Sequence, residues 1–424
     1  MQGWKITSSQ KKLEAQIVLP ASKSLSNRTL ILQQVISQLT YDHLVIKNLS
    51  EADDTQIMKE ALMNNERVVN IKNAGTCMRF LTAYYAATPG SNIQLNCDER
   101  MQKRPIANLV KTLKQLGADI TYTEKEGFPP LYIKGKKLNG GEIFMEAHET
   151  SQFVSAMLLV APLLKEPLQI NVDLNASSVN YIHMTVSLML TLGFSVSVQT
   201  TPSLNITVEN QLNGLKQKIY EIEADWSSAA FIYEAAALVE GARIALPGLS
   251  LQSTQGDKKI ADLMLNLGVK TTEYEGYILL EKTAIALSKV PVIIDLKNYP
   301  DLAPPLISTV AALGSNYTFT GLESLKVKES DRLIALQQEL SKLGYAVKQV
   351  GDGSLQTTEP IATVKVEDVL TQTNDDHRLA MCFALLAFKK NTVFLSETGT
   401  VIKSFPGFWN EIEKCGLIKE LIIV

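Results

Sequence analysis

Hydrophobic and polar positions fall into one recurring phrase along the chain. An amphipathic helix closes on Leu-Gly, and a run alternating apolar and polar residues follows. The phrase reads LVKTLKQLGADITYT (closing on Gly117), TVSLMLTLGFSVSV (Gly193), IADLMLNLGVKTTEY (Gly268) and LQQELSKLGYAVKQV (Gly344). Helical spacing giving way to alternation predicts a helix and then a strand. Glycine at the joint suits a helix C-cap, which takes a left-handed backbone. The four glycines are 76, 75 and 76 residues apart. Weaker versions stand at 58–71 (MKEALMNNERVVNI) and 408–424 (FWNEIEKCGLIKELIIV). A fixed period of this kind marks a duplicated unit. It is too long for a solenoid repeat, so the pattern predicts six α/β units, three to a domain.

With 424 residues the chain exceeds what one core serves, which also favours two domains. No linker rich in Pro, Gly or Ser separates them. The chain is expected to cross between domains near Val18-Leu19-Pro20 and again along Tyr220 to Asp225. One discontinuous domain then comprises 1–19 with 223–424, and the second comprises 20–222.

The first crossing is followed by the most informative segment. A strand-like run from Gln16 to Leu19 stops at Pro20, and an apolar helix is predicted from Thr29 to Leu39. Between them lie cap-forming hydroxyls at Ser22, Ser24 and Ser26, flanked by Lys23 and Arg28. A helix start offers N–H groups and a positive dipole end, and added cations make it an anion site. Other helix starts repeat the device: Asn73-Ala74-Gly75-Thr76-Cys77-Met78-Arg79, Thr150-Ser151-Gln152, Lys328-Glu329-Ser330-Asp331-Arg332, Asn374-Asp375-Asp376-His377-Arg378 and Lys403-Ser404-Phe405-Pro406. Arg104 heads the first Leu-Gly helix. One such start is an ordinary cap, but this many paired with Arg or Lys predict a cleft selective for anions. Two acids stand among the cations: Asp301, a turn ahead of a proline-bearing helix start, and Glu329 beside Lys328. A carboxylate so placed is a candidate proton carrier, although each also suits an ordinary role at a helix start.

Composition narrows the classes. A net charge of −3, with 46% hydrophobic and 20% charged residues, exerts no general pull on nucleic acid or anionic membrane. Basic tracts interleaved with aromatics are lacking, as is a GxxxxGK[ST] loop. Cys77, Cys97, Cys382 and Cys415 are scattered and the four histidines do not cluster, so neither a disulfide framework nor a metal site is expected. The N-terminus has no signal-peptide core, and the longest apolar run, Phe153 to Leu164, is too short to span a bilayer. A cytoplasmic location is expected.

The segments LPASKSLSNR, NAGTCMR, RPIANLVKTLKQLGA, SQFVSAMLL, VKESDR, NDDHRLAMCF and KSFPGFW, in this order, resemble the 5-enolpyruvylshikimate-3-phosphate (EPSP) synthase family over nearly the whole chain. The resemblance implies an α/β two-domain enolpyruvyl transferase fold, each domain three copies of a βαβαββ unit, with the active site in the inter-domain cleft. It implies transfer of the enolpyruvyl group of phosphoenolpyruvate to the 5-hydroxyl of shikimate 3-phosphate, without metal or cofactor, by a monomer. Carried over by motif, Lys23, Ser24, Arg28, Thr150, Ser151, Gln152, Ser178, Tyr181 and Lys328 would hold shikimate 3-phosphate. Gly75, Thr76, Arg104, Gln152, Arg332, Arg378 and Lys403 would hold phosphoenolpyruvate, with Lys23 touching both. Asp301 would accept the hydroxyl proton, and Glu329 would handle the proton at C3 with Lys403 assisting.

The chain departs from the family pattern in places. The first unit is short, Lys72 stands where glycine often precedes NAGT, and Ser324 stands where an asparagine commonly contacts substrate. Asn180 replaces a proline before Tyr181, and Gly407 replaces an aspartate. The sister family, UDP-N-acetylglucosamine enolpyruvyl transferase, typically shows Lys-Asn in the first motif and a reactive cysteine five residues before an Arg-Pro pair. Here the pair is Lys23-Ser24, and position 99 is glutamate, with Cys97 close by. A non-catalytic shikimate 3-phosphate-binding homologue is the other alternative; it would have lost Asp301, Glu329, Lys403 or Arg104, and all four are present.

Overall fold

The structure, a computed structural model, describes residues 2–8, 12–63, 66–145, 151–173, 177–200, 203–212, 214–284, 290–359 and 369–423. The chain divides into two compact units, Met1–Pro20 with Glu223–Val424, and Ala21–Ile222. They are called the outer and the inserted unit here.

The described strands form six sheets, five of four strands and one of two. Each four-stranded sheet is built alike. In the inserted unit Val68–Asn70 runs parallel to Asn92–Asn96, which pairs antiparallel with Leu131–Lys134, and Asp119–Tyr122 closes the edge. Gly141–Met145, Leu168–Val172, Leu204–Leu212 and Phe194–Gln199 repeat that order. In the outer unit Val292–Asp295, Tyr317–Thr320, Ser354–Thr357 and Val347–Gly351 do the same. Two further copies are completed from distant sequence. Glu14–Gln16 lies parallel to Arg243–Pro247, so the whole inserted unit interrupts one copy. The N-terminal strand Gln2–Ser8 lies between Thr392–Leu395 and Leu417–Ile423 and finishes the last copy. The short first unit gives the two-stranded sheet, Ile219–Glu221 parallel to Val45–Lys47, and among the described residues no hairpin follows the Asp53–Met63 helix.

Two kinds of helix cover these sheets. The first helix of each copy is largely buried and sits in the core. Lys23–Leu39, Gly75–Ala87 and Ser151–Val160 pack on one another in the inserted unit, as do Trp226–Leu238, Ala303–Ala312 and His377–Leu385 in the outer unit. The second helices are amphipathic: Ala107–Gln115 buries Leu109, Val110 and Leu113 and exposes Lys111 and Lys114. The Leu-Gly glycines that end these helices hold φ of 98° (Gly117), 106° (Gly193), 84° (Gly268) and 82° (Gly344), the left-handed region the repeat predicts. No described helix is long and apolar enough to cross a membrane.

Two local expectations need correcting. The strand near the first crossing is Glu14–Gln16 rather than Gln16 to Leu19. The helix starts at Lys23, six residues before Thr29, with Ser22 as its cap. Its polar first turns are buried against partners far along the chain, which the local pattern does not reveal.

An acid is buried in the helical core of the outer unit without an ion-pair partner among the described residues. Glu234, in the middle of the Trp226–Leu238 helix, is 0% exposed, and neither carboxyl oxygen has a hydrogen-bond partner among the described residues. Burial pushes its pKa well above 4.5. A folded-state pKa above the unfolded one gives a contribution to stability that is fully present below the unfolded value and is lost as pH rises towards the folded one. Glu234→Met is therefore expected to raise Tm, with a gain that grows from pH 5 to pH 8 in thermal melts. A gain independent of pH would show that the ionised carboxyl is not the source.

Candidate active site

In the inserted unit the expected residues form three linked groups. Lys23 is the first residue of its helix, and its Nζ lies 3.0 Å from Asp54 Oδ2, at the start of the Asp53–Met63 helix. Arg28, one turn on, is almost wholly buried. Its Nε donates to Thr185 Oγ1 (2.7 Å), Nη1 to the Ser24 carbonyl (2.9 Å) and Nη2 to Ser155 Oγ (3.2 Å). The guanidinium lies 5.2 Å from the Phe80 ring centre and 5.7 Å from that of Tyr181. Burial lowers its pKa to about 10, still cationic at neutral pH. Ser178, the residue preceding the Val179–Leu192 helix, takes a left-handed backbone with φ 60° and brings Tyr181 into this group.

The third group forms around Gly75. Its helix has no side-chain cap, because Ala74 occupies the cap position. Arg79 Nη1 donates back to the Gly75 carbonyl (2.8 Å), and a Cβ added at Gly75 would stand 2.5 Å from Arg79 Nη1 and 2.6 Å from Arg104 Nη1. The missing side chain is what lets two guanidiniums close on this helix start. Gln152 Nε2 donates to Thr76 Oγ1 (3.2 Å), and Ser151 opens the neighbouring helix. Thr150 lies outside the described residues. Lys72, just before the motif, holds φ 49°, a conformation costing a non-glycine residue roughly 1 kcal/mol.

In the outer unit a single arginine organises the site. Asp331 caps the Arg332–Lys342 helix by accepting from Ile334 N (3.2 Å), which fixes Arg332 as its first residue. Arg332 Nε and Nη2 take the two oxygens of Asp376 at 2.7 and 3.2 Å. Its remaining donors reach Glu329 Oε2 (2.8 Å) and Asp301 Oδ1 (3.3 Å). Burial alone would lower the Arg332 pKa, but Asp376, Glu329 and Asp301 together outweigh it and hold it above its ordinary value. Asp376 is fully buried and also caps the His377–Leu385 helix, accepting from Arg378 N (3.0 Å). Asn374 and Asp375, at φ 53° and 50°, turn the chain to deliver it.

Both candidate proton carriers sit among cations. Asp301, in the turn Pro300–Leu302, meets Arg378 Nη2 at 3.0 Å and Lys328 Nζ at 3.8 Å as well as Arg332. Glu329 Oε1 meets Lys403 Nζ at 3.0 Å. The hydroxyl oxygen of Ser324 is enclosed without a hydrogen-bond partner among the described residues.

Neither the buried partners of these groups nor one further acid stands out in the sequence. Asp54, Ser155 and Thr185 hold Lys23 and Arg28 from distant elements. Asp257, buried in the turn Gly256–Lys259, accepts from Ser227 Oγ at 2.5 Å and faces Asp301 and Arg378 electrostatically. The acidic pair Asp53-Asp54 at a helix start was the one local signal; nothing marked the others. Cys97 carries no reactive thiolate: burial, then Asp98 and Glu124, push its thiol up to about 12.

This architecture, two sets of βαβαββ copies carrying arginine, lysine and carboxylate clusters on helix starts, is that of an enolpyruvyl transferase. The model of a family described as EPSP synthase (3-phosphoshikimate 1-carboxyvinyltransferase) matches residues 61–412. The 3-phosphoshikimate 1-carboxyvinyltransferase of Bacteroides fragilis (strain YCH46) is 41% identical over 411 residues, 97% of each chain. That of Haemophilus ducreyi (strain 35000HP) is 33% identical over 431 residues, 95% of this chain and 96% of its own. A solved EPSP synthase from Acinetobacter baumannii superposes with a TM-score of 0.74 over 100% of both chains, at 20% identity, a likeness of fold. The chain belongs to the EPSP synthase family.

Proposed function

We propose that this protein transfers the enolpyruvyl group of phosphoenolpyruvate to the 5-hydroxyl of shikimate 3-phosphate and releases phosphate. The observation that carries the reading is the cluster around Arg332, in which two carboxylates able to move protons are each lodged between cations. Such an arrangement suits a reaction of polyanions that needs one proton taken and another exchanged at carbon. Family membership supplies the acceptor.

The hydroxyl adds to C2 of phosphoenolpyruvate as Asp301 takes its proton, and C3 gains a proton from Glu329 or Lys403. The tetrahedral intermediate then returns a C3 proton to Glu329 as the C2–O bond to phosphate breaks. Arg104 with Gly75 and Thr76, and Arg332, Arg378 and Lys403, are the proposed ligands of phosphoenolpyruvate; guanidinium forks suit its carboxylate and phosphate. Lys23, Ser24, Arg28, Thr150, Ser151, Gln152, Ser178, Tyr181, Ser324 and Lys328 are the proposed ligands of shikimate 3-phosphate. Arg378 and Lys403 already pair with Asp301 and Glu329. An incoming carboxylate or phosphate competes for the same cations, and as it takes them the two acids are released to accept protons. The proposal includes a monomer acting in the cytoplasm.

Phosphate release with phosphoenolpyruvate and either acceptor tests the assignment. Turnover with shikimate 3-phosphate and none with UDP-N-acetylglucosamine is expected; the reverse, or release with neither, would overturn it. The site adds a finer expectation. Arg28→Ala should weaken shikimate 3-phosphate about tenfold to a hundredfold, the loss of one charge-assisted contact. Phosphoenolpyruvate should be little affected, so equal weakening of both in titration calorimetry would place Arg28 elsewhere in the mechanism.

A further inference from the structure

Three helices of the inserted unit meet at a buried polar knot. Lys23–Leu39, Ser151–Val160 and Val179–Leu192 pack on one another. Each carries a proposed ligand of shikimate 3-phosphate in its first turn: Ser24, Ser151 and Tyr181. Four residues further along, on the same face of each helix, stand Arg28, Ser155 and Thr185. These three are 2%, 0% and 0% exposed and bond to one another. Arg28 Nε donates to Thr185 Oγ1 (2.7 Å) and Nη2 to Ser155 Oγ (3.2 Å), and the two hydroxyl oxygens lie 3.1 Å apart. Two further bonds return to the ligand-bearing turns, from Arg28 Nη1 to the Ser24 carbonyl (2.9 Å) and from Thr185 Oγ1 to the Tyr181 carbonyl (2.8 Å). Every hydrogen-bond partner of Arg28 among the described residues is neutral. Arg332 in the outer unit is held in the opposite way, by three carboxylates.

We propose that Ser155 and Thr185 are positioning residues for Arg28: they fix its guanidinium between the three ligand-bearing turns and leave its charge to an anionic substrate. The inference rests on the function proposed above. Ordering a long side chain opposes binding when it happens at the moment of association, and a side chain ordered beforehand avoids that cost. A carboxylate would grip the guanidinium more strongly, but it would cancel the charge that a phosphate group needs. Two hydroxyls achieve the ordering without the cancellation. The same bonds tie Arg28 to Tyr181, so two proposed ligands on different helices keep a fixed separation.

Thr185→Val keeps the shape of the side chain and removes its hydroxyl. In titration calorimetry its dissociation constant for shikimate 3-phosphate is expected to rise about tenfold, the loss of one hydrogen bond to a charged group. KM for that substrate should rise in step, with kcat at saturation within about twofold of wild type. Thr185→Ser, which restores the hydroxyl, should recover most of the affinity. In the Arg28→Ala protein, Thr185→Val should weaken binding no further, because the hydroxyl acts through the guanidinium. A merely structural role would lower Tm and kcat alike and would persist without Arg28. Ser155→Asp places a carboxylate where Arg28 Nη2 now meets a hydroxyl, and its affinity should fall below that of Ser155→Ala. Should Thr185→Val fail to fold, Ser155→Ala enters the same cycle with Arg28→Ala. Additive losses in the cycle, or equal affinity of Ser155→Asp and Ser155→Ala, in an active wild type overturn this inference alone. A wild type that neither binds nor turns over shikimate 3-phosphate overturns it together with the reading it rests on.

Discussion

Asp301→Ala is expected to lower kcat by about a thousandfold or more while shikimate 3-phosphate binds as before. General-base catalysis by a positioned carboxylate contributes on the order of 10²–10⁴, and no other described acid pairs with Arg378, Lys328 and Arg332 together. Removing the carboxylate also releases three cations, so phosphoenolpyruvate should bind at least as tightly. A loss confined to kcat would mark a group that acts in the transition state. Glu329→Ala should fall as far for the second proton, with Lys403 losing its partner. Single-turnover rates and titration calorimetry separate these effects. Turnover within about tenfold of wild type in either variant would remove that residue from the chemistry.

The second large effect is at Arg332, expected to damage folding and catalysis together. Its side chain is 1% exposed and holds Asp376, which is 0% exposed, by two hydrogen bonds. Arg332→Met leaves that carboxylate buried without its counter-ion. Breaking a buried pair in this way costs about 3–5 kcal/mol, which lowers Tm by about 10 °C. Asp301 and Glu329 lose the common anchor that sets their separation, so turnover should also disappear. Arg332→Lys should recover part of the stability but little activity, because an ammonium cannot bridge three carboxylates in one plane. A variant melting within a degree or two of wild type would show that Asp376 is satisfied some other way.

These two sites also show how far sequence carries. The Leu-Gly phrase was readable because a left-handed C-cap all but demands glycine, and its recurrence at Gly117, Gly193, Gly268 and Gly344 exposes the repeat. Candidate site residues stood out where cations gather within a few positions, as in VKESDR and NDDHR. What stayed hidden is contact across the chain. Arg28 meets Ser155 and Thr185 more than a hundred positions away, and neither hydroxyl looks unusual in its own helix. That burial also explains why the first helix starts at Lys23: a hydroxyl-rich run reads as a cap, while tertiary partners make it helical interior. Asp257 is concealed for the same reason, since its neighbours Asp301 and Arg378 lie on other copies of the repeat. Glu234 is one acid among alanines and aromatics in its own helix, a pattern that passes unnoticed until the helix is seen to be enclosed on every side.

Deuterium incorporation tests the addition–elimination chemistry most directly. With phosphoenolpyruvate and shikimate 3-phosphate in D2O, a C3 methyl group formed and reopened by Glu329 and Lys403 should leave deuterium in the product methylene, read by NMR alongside released phosphate. Product formed at full rate with no deuterium at that carbon would contradict the account, because no proton would then have been added to C3 and withdrawn again.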